Sequence, residues 1–214
     1  MSESKQKTLP KELRRLIGVI CGVYFIAGIF GFLYETGFYW LNDGMLVRRG
    51  NCYGPWVQLY GWGGLMLFAL CWRMRNRPWL VFLISAGATG ILELGVGWAL
   101  YTFGNGFRSW DYNTEIWNWG NIGGFVCLRS VLVFAFSGLL LVYVVVPLLT
   151  RLSRHMNPTV FLVLMAVPAG LFLLDSLYND IIVNIFPLRG ALAFWRDTGW
   201  YGKIAGIESL KEGI

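Results

Sequence analysis

Seven polar residues lie inside long apolar runs of this chain: Glu35, Gln58, Glu93, Arg129, Asp175, Asn179 and Asp180. A charge at bilayer depth costs about 2.5–3.5 kcal/mol on insertion scales, so such residues face a bundle interior and mark sites of binding, passage or chemistry. A buried Glu93 or Glu35 can carry a proton or a cation, or serve as general acid or base. Arg129 can hold a phosphate or stabilise an oxyanion. One in-span Arg faces three in-span carboxylates on interior faces, Glu35, Glu93 and Asp175. The excess acid must be protonated, matched by a cation or wetted by a cavity. The plain alternative is internal glue, with Arg129 paired to Glu93 or Glu35 and the amides linking helices.

Helical spacing tells where these side chains point. Gly87, Gly90, Glu93 and Gly97 recur at steps of three and four, as do Gly28, Gly31 and Glu35, and Gly54, Gln58 and Gly61. Small residues let membrane helices approach closely, so each acid or amide is expected on a packing face. Asn121, Phe125 and Arg129 share one face, and Asp175 and Asn179 another. Asp180 is rotated off that face, toward headgroups. Pro168, in mid-span, predicts a kink that frees a backbone carbonyl near the site.

The elements that must position them are membrane spans. Charged residues make up 14% of the 214, against about a quarter in soluble domains, and mean hydropathy is +0.54. Eleven Trp, ten Tyr and fifteen Phe suit interfacial belts, and 27 Gly suit close helix contact. Five runs are long enough to cross about 30 Å of hydrocarbon: Leu16–Tyr39, Gly54–Trp72, Trp79–Tyr101, Ile122–Leu149 and Pro158–Pro187. The expected fold is all-α, a polytopic bundle of about five transmembrane helices. Residues 1–15 form an N-terminal segment, 16–188 a single bundle, and 189–214 an extracytoplasmic or interfacial tail.

Lys5, Lys7, Lys11, Arg14, Arg15, Arg73, Arg75, Arg77, Arg151 and Arg154 flank one side of these spans. Arg48, Arg49, Arg108, Arg189, Arg196, Lys203 and Lys211 flank the other. The positive-inside rule therefore puts the N-terminus in the cytoplasm of a bacterial inner membrane, multi-pass. All the in-span polar groups then fall in the outer half of the bilayer. The net charge of +6 belongs to these flanks, which predicts membrane lipids, and no nucleic acid, as partners. Cys21, Cys52, Cys71 and Cys127 are scattered without CxxC or a neighbouring His, so no metal site, disulfide framework or cofactor is expected. Between the third and fourth runs, Phe107–Gly124 is a long aromatic loop holding Trp110, Asp111 and Tyr112. It reads either as a lid over the site or as a Trp-anchored interfacial loop.

The sequence also carries a family pattern. Tyr34-Glu35, Gly54-Pro55, Tyr60-Gly61-Trp62-Gly63, Glu93, Trp110-Asp111-Tyr112, Asn121 and Gly123-Gly124 occur in that order. This resembles the bacterial ABC-transporter permease family of type IV (CmpB-like), from about Gly28 to Leu148 with a weaker echo around Asp175. The resemblance implies transport. No GxxxxGK[ST] phosphate loop occurs, so energy would come from a partner or an ion gradient.

Three functions fit these residues. The first is transport of a small or lipid-like solute, a cation, zwitterion or organic anion, bound by Glu35, Gln58, Tyr60, Glu93, Asp111, Asn121, Arg129, Asp175 and Asn179. The second is an intramembrane enzyme on a lipid- or phosphate-linked substrate, with Glu93, Glu35 and Arg129 catalytic. The third is an assembly or sensory subunit. A partner subunit or homo-oligomer suits the first and third.

Overall fold

The computed structural model describes residues 9–44, 46, 48–186 and 188–197. Lys5, Lys7, Lys203, Lys211 and most of the tail from 189 onward lie outside them. The described residues form an all-α bundle without strands. Its helices are α1 (Lys11–Asp43), α2 (Gln58–Cys71), α3 (Pro78–Phe103), α4 (Leu128–His155), α5 (Pro158–Ile185) and α6 (Ala191–Asp197).

Four of these, α1, α3, α4 and α5, are long and apolar enough to cross a membrane. The second expected span is shorter than its apolar run. Residues 54–57 are not helical, and α2 has 14 residues before a 3-10 turn at Trp72–Met74. At about 1.5 Å per residue, 14 residues cover about 21 Å, well short of a bilayer core. Gly54 and Pro55 are weak helix formers, and the chain is extended at Val57, just before α2 begins. A Cβ on Gly54 would lie 2.0 Å from the Trp56 ring.

Glycines set the helix packing, as their spacing predicts. Gly18, Gly22 and Gly28 of α1 admit Phe161, Met165 and Phe172 of α5, so the two helices run parallel. Gly31 of α1 admits Tyr60, and Gly64 of α2 admits Ala27, which makes α1 and α2 antiparallel. Gly90 and Gly97 of α3 meet Val131 and Phe125, whereas Gly87 faces open space. An apolar core of Val23, Leu67, Cys71, Val81, Val146 and Phe161 fills the half of the bundle nearer the N-terminus.

Two π-helical turns interrupt the long helices, at Leu141–Val145 before Pro147 and at Tyr178–Ile182. The helix continues through Pro168 instead, so the break in α5 falls one to two turns beyond Asp175 and not at the proline.

Candidate functional site

The half of the bundle away from the N-terminus is built around polar side chains. A cavity of about 570 Å³ opens there, between α1, α2, α3, α4, α6 and two loops. Its lining includes Tyr34, Glu35, Arg49, Tyr60, Glu93, Tyr112, Glu115, Arg129 and Ser130. A volume of this size suits a small-molecule ligand.

Two ion pairs organise the cavity, and each ties a long helix to a loop. Arg49 Nε lies 3.0 Å from Glu35 of α1, with side chains 12% and 18% exposed. Arg129 of α4 pairs with Glu115 of the 104–127 loop, the side chains 9% and 5% exposed. Aromatic rings complete both pairs: Arg129 sits 3.8 Å over Phe38, and Arg49 4.0 Å over Tyr39. Tyr39 also donates to the second oxygen of Glu115 at 2.6 Å. Arg129 Nε is buried without a hydrogen-bond partner among the described residues.

Glu93 is 5% exposed and, among the described residues, has no cation within salt-bridge distance. Its two oxygens accept from the Tyr112 hydroxyl at 2.5 Å and the Ser130 hydroxyl at 2.7 Å. Burial pushes the Tyr112 phenol far above its ordinary range, and the Glu93 charge and hydrogen bond push it further. Tyr112 is therefore a fixed donor to Glu93 at any physiological pH.

A second polar cluster adjoins the cavity through Arg48, Asn51 and Val57 and holds irregular backbone. Asp175 accepts from the Tyr53 and Gly54 backbone N–H groups at 3.0 and 2.9 Å, and from Trp56 Nε1 at 2.9 Å. Asn179 donates to Asp175 Oδ1 at 2.8 Å and accepts from the Ala191 N–H at 2.7 Å. Arg48 donates to the carbonyls of Cys52, Tyr53 and Gly54. Val57 N–H reaches the Gly28 carbonyl, midway along α1. The 48–57 segment thus descends into the bundle with the N–H groups of Tyr53, Gly54 and Val57 and the carbonyls of Cys52, Tyr53 and Gly54 satisfied, as non-helical chain at membrane depth requires.

The expected site residues divide accordingly. Glu35, Tyr60, Glu93 and Arg129 line the cavity. Gln58 stands half-buried on the first turn of α2, outside that lining. Asp111 and Asn121 shape the 104–127 loop: Asp111 accepts from Asn113 at 2.7 Å, and Asn121 accepts from the Gly124 N–H at 2.8 Å. Asp175 and Asn179 anchor the 48–57 segment, so the polar groups divide into two neighbouring clusters. Asp180 is half-buried and accepts from Asn51, not from headgroups, because the π turn rotates it inward. Arg129 pairs with Glu115 rather than Glu93 or Glu35.

Arg49, Glu115 and Ser130 escape a reading of spans alone. Arg49 looks like a flanking topology charge, and Glu115 like an exposed loop acid. Their one sequence signal is the charge excess in the spans, which requires cations and hydroxyls from elsewhere. The loop itself is ordered, with Trp110 Nε1 donating to the Phe125 carbonyl at 2.8 Å and Arg108 to that of Gly123 at 2.8 Å. It covers the cavity with Tyr112 and Glu115 while Trp117 and Trp119 point outward, 50% and 61% exposed.

The family described as "Putative ABC-transporter type IV" matches residues 22–179, which include every residue of both clusters except Ala191. The chain belongs to that family. No curated protein and no solved structure matches it. The match to this type IV family begins inside α1 and ends at Asn179, so it takes in most of α1 and α5, all of α2, α3 and α4, and both loops.

Proposed function

We propose that this type IV family member is a transport protein of the bacterial inner membrane, and that the charged cavity is its solute site. One observation carries the reading: two buried ion pairs, Glu35–Arg49 and Arg129–Glu115, each fasten a loop over a cavity between spanning helices. A ligand that competes for either pair releases a loop, which couples binding to opening. The Lys and Arg flanks support a cytoplasmic N-terminus, so the cavity opens toward the outer leaflet. Glu35, Glu93, Arg129 and Tyr60 contact the solute, a small or lipid-like molecule. Gln58, Asp111, Asn121, Asp175 and Asn179 act on it indirectly, through α2 and the two loops.

The test uses purified protein in liposomes loaded with a bacterial membrane extract, with both compartments read by mass spectrometry. Transport predicts compounds that change sides chemically unchanged, and that Arg129→Gln holds in place. Conversion of a compound would overturn transport in favour of an enzyme using Glu93. No change in either compartment would leave the assembly role.

A further inference from the structure

A second cavity, of about 400 Å³, adjoins the charged one. Its lining is almost wholly apolar, with Ile26, Phe30, Trp62, Met66, Leu92 and Leu140 from α1 to α4. The two cavities share Leu59, Tyr60, Glu93 and Phe134, and the Tyr60 and Phe134 rings lie 5.5 Å apart at that junction. A chain passing these rings leaves a charged chamber and enters a hydrocarbon one. At the charged end Arg129 offers a buried donor, Nε, that no described residue uses.

We infer that the ligand is an amphiphile with an anionic head group and an alkyl chain, the head against Arg129 and the chain past Tyr60 into the apolar crevice. The inference rests on the charged cavity being the solute site, and narrows what that site takes. An anion that accepts from Arg129 Nε shares the guanidinium with Glu115, whose carboxylate keeps the Tyr39 hydroxyl. Bound ligand therefore weakens, without breaking, the tie between α4 and the 104–127 loop. Phosphate and carboxylate heads share the chemistry that a guanidinium recognises.

Gly63 gives a way to block the crevice alone. It lines the apolar cavity, and a Cβ built on it meets nothing within 4 Å. Leu there has room at its Cβ and projects into the space the chain would take. Binding is measured by native mass spectrometry and calorimetry, with the protein held in an uncharged amphipathic polymer. The probes are dodecyl phosphate, its shorter alkyl homologues, dodecyl maltoside and inorganic phosphate.

Dodecyl phosphate is expected to bind at least tenfold more tightly than dodecyl maltoside or inorganic phosphate. Affinity should rise roughly fourfold per added methylene until the crevice is full. Gly63→Leu should flatten that rise and weaken dodecyl phosphate about tenfold, leaving the shortest homologue unaffected. Arg129→Gln should erase the preference for phosphate over maltoside. Should that variant misfold, Gly63→Leu and the chain series decide alone. Equal binding of dodecyl phosphate and dodecyl maltoside would overturn the inference, since the crevice would then hold bulk lipid without reading a head. A chain-length dependence unchanged in Gly63→Leu would overturn it too. Failure of transport with this binding intact would sink the transport reading and spare the inference; transport of chainless solutes alone would do the reverse.

Discussion

At the scale of single residues, the cost of removing a partner separates the two ion pairs from ordinary surface pairs. Arg129 and Glu115 are both nearly inaccessible, so either one left alone is an uncompensated buried charge. Arg129→Met and Glu115→Leu should each lower stability by about 3–5 kcal/mol, and the double variant by much less than their sum. Denaturant titration of the four proteins in detergent checks this, and additive losses would disprove the coupling. Tyr112 gives a second prediction. Its phenol titrates far above the usual range, so the stability it contributes is fully present below about pH 10 and is lost only as pH climbs through the raised value. Tyr112→Phe should leave the tyrosinate absorbance of the folded protein unchanged up to about pH 11. A drop of one tyrosine equivalent below that would show Tyr112 to be an ordinary phenol.

At the scale of elements, the 48–57 segment depends on Asp175 more than on any contact of its own. One carboxylate takes three N–H donors from that segment, and a buried donor left unmet costs about 1–3 kcal/mol. Asp175→Ala should free the segment and expose Cys52, which is 1% exposed in the intact protein. With Cys21, Cys71 and Cys127 replaced by Ala, maleimide labelling of Cys52 should be slow in the parent and fast in the Asp175→Ala protein. The 104–127 loop has its own fixed point at Gly124, where φ is +82° and an added Cβ would lie 2.3 Å from Asp111 Oδ1. Gly124→Ala should displace Tyr112, whose N–H bonds the Gly124 carbonyl at 3.0 Å, and so loosen Glu93. Loss of ligand binding with the helical circular dichroism retained is the expected result.

At the scale of the whole molecule, the bundle separates its work by depth. The half near the N-terminus is apolar, around Val23, Val81 and Phe161, and the other half holds the buried ion pairs. The shortened α2 preserves the direction of the chain, because the 48–57 segment completes its path. The described ends of the chain, Leu9 and Asp197, therefore lie at opposite ends of the bundle. Reporter fusions after Arg154 and after Asn105 should report opposite compartments, with Arg154 cytoplasmic; a shared compartment would refute the topology.

Composition and apolar runs alone determine that the chain is an all-α membrane bundle, because no soluble surface can accommodate so few charges. Glycine spacing alone places Gly28, Gly31, Gly90 and Gly97 at helix contacts, since small residues at steps of three and four have few other uses in lipid. The sequence also singles out Glu35, Glu93 and Arg129, because charges in apolar runs are costly enough to be rare. Their partners depend on tertiary structure. Arg49 and Glu115 reach the cavity from loops whose paths no periodicity encodes. The shift of Asp175 and Asn179 into a neighbouring anchoring cluster is likewise invisible to spacing. It follows from the non-helical start of the second apolar run, whose backbone donors need an acceptor that only α5, folded against it, supplies.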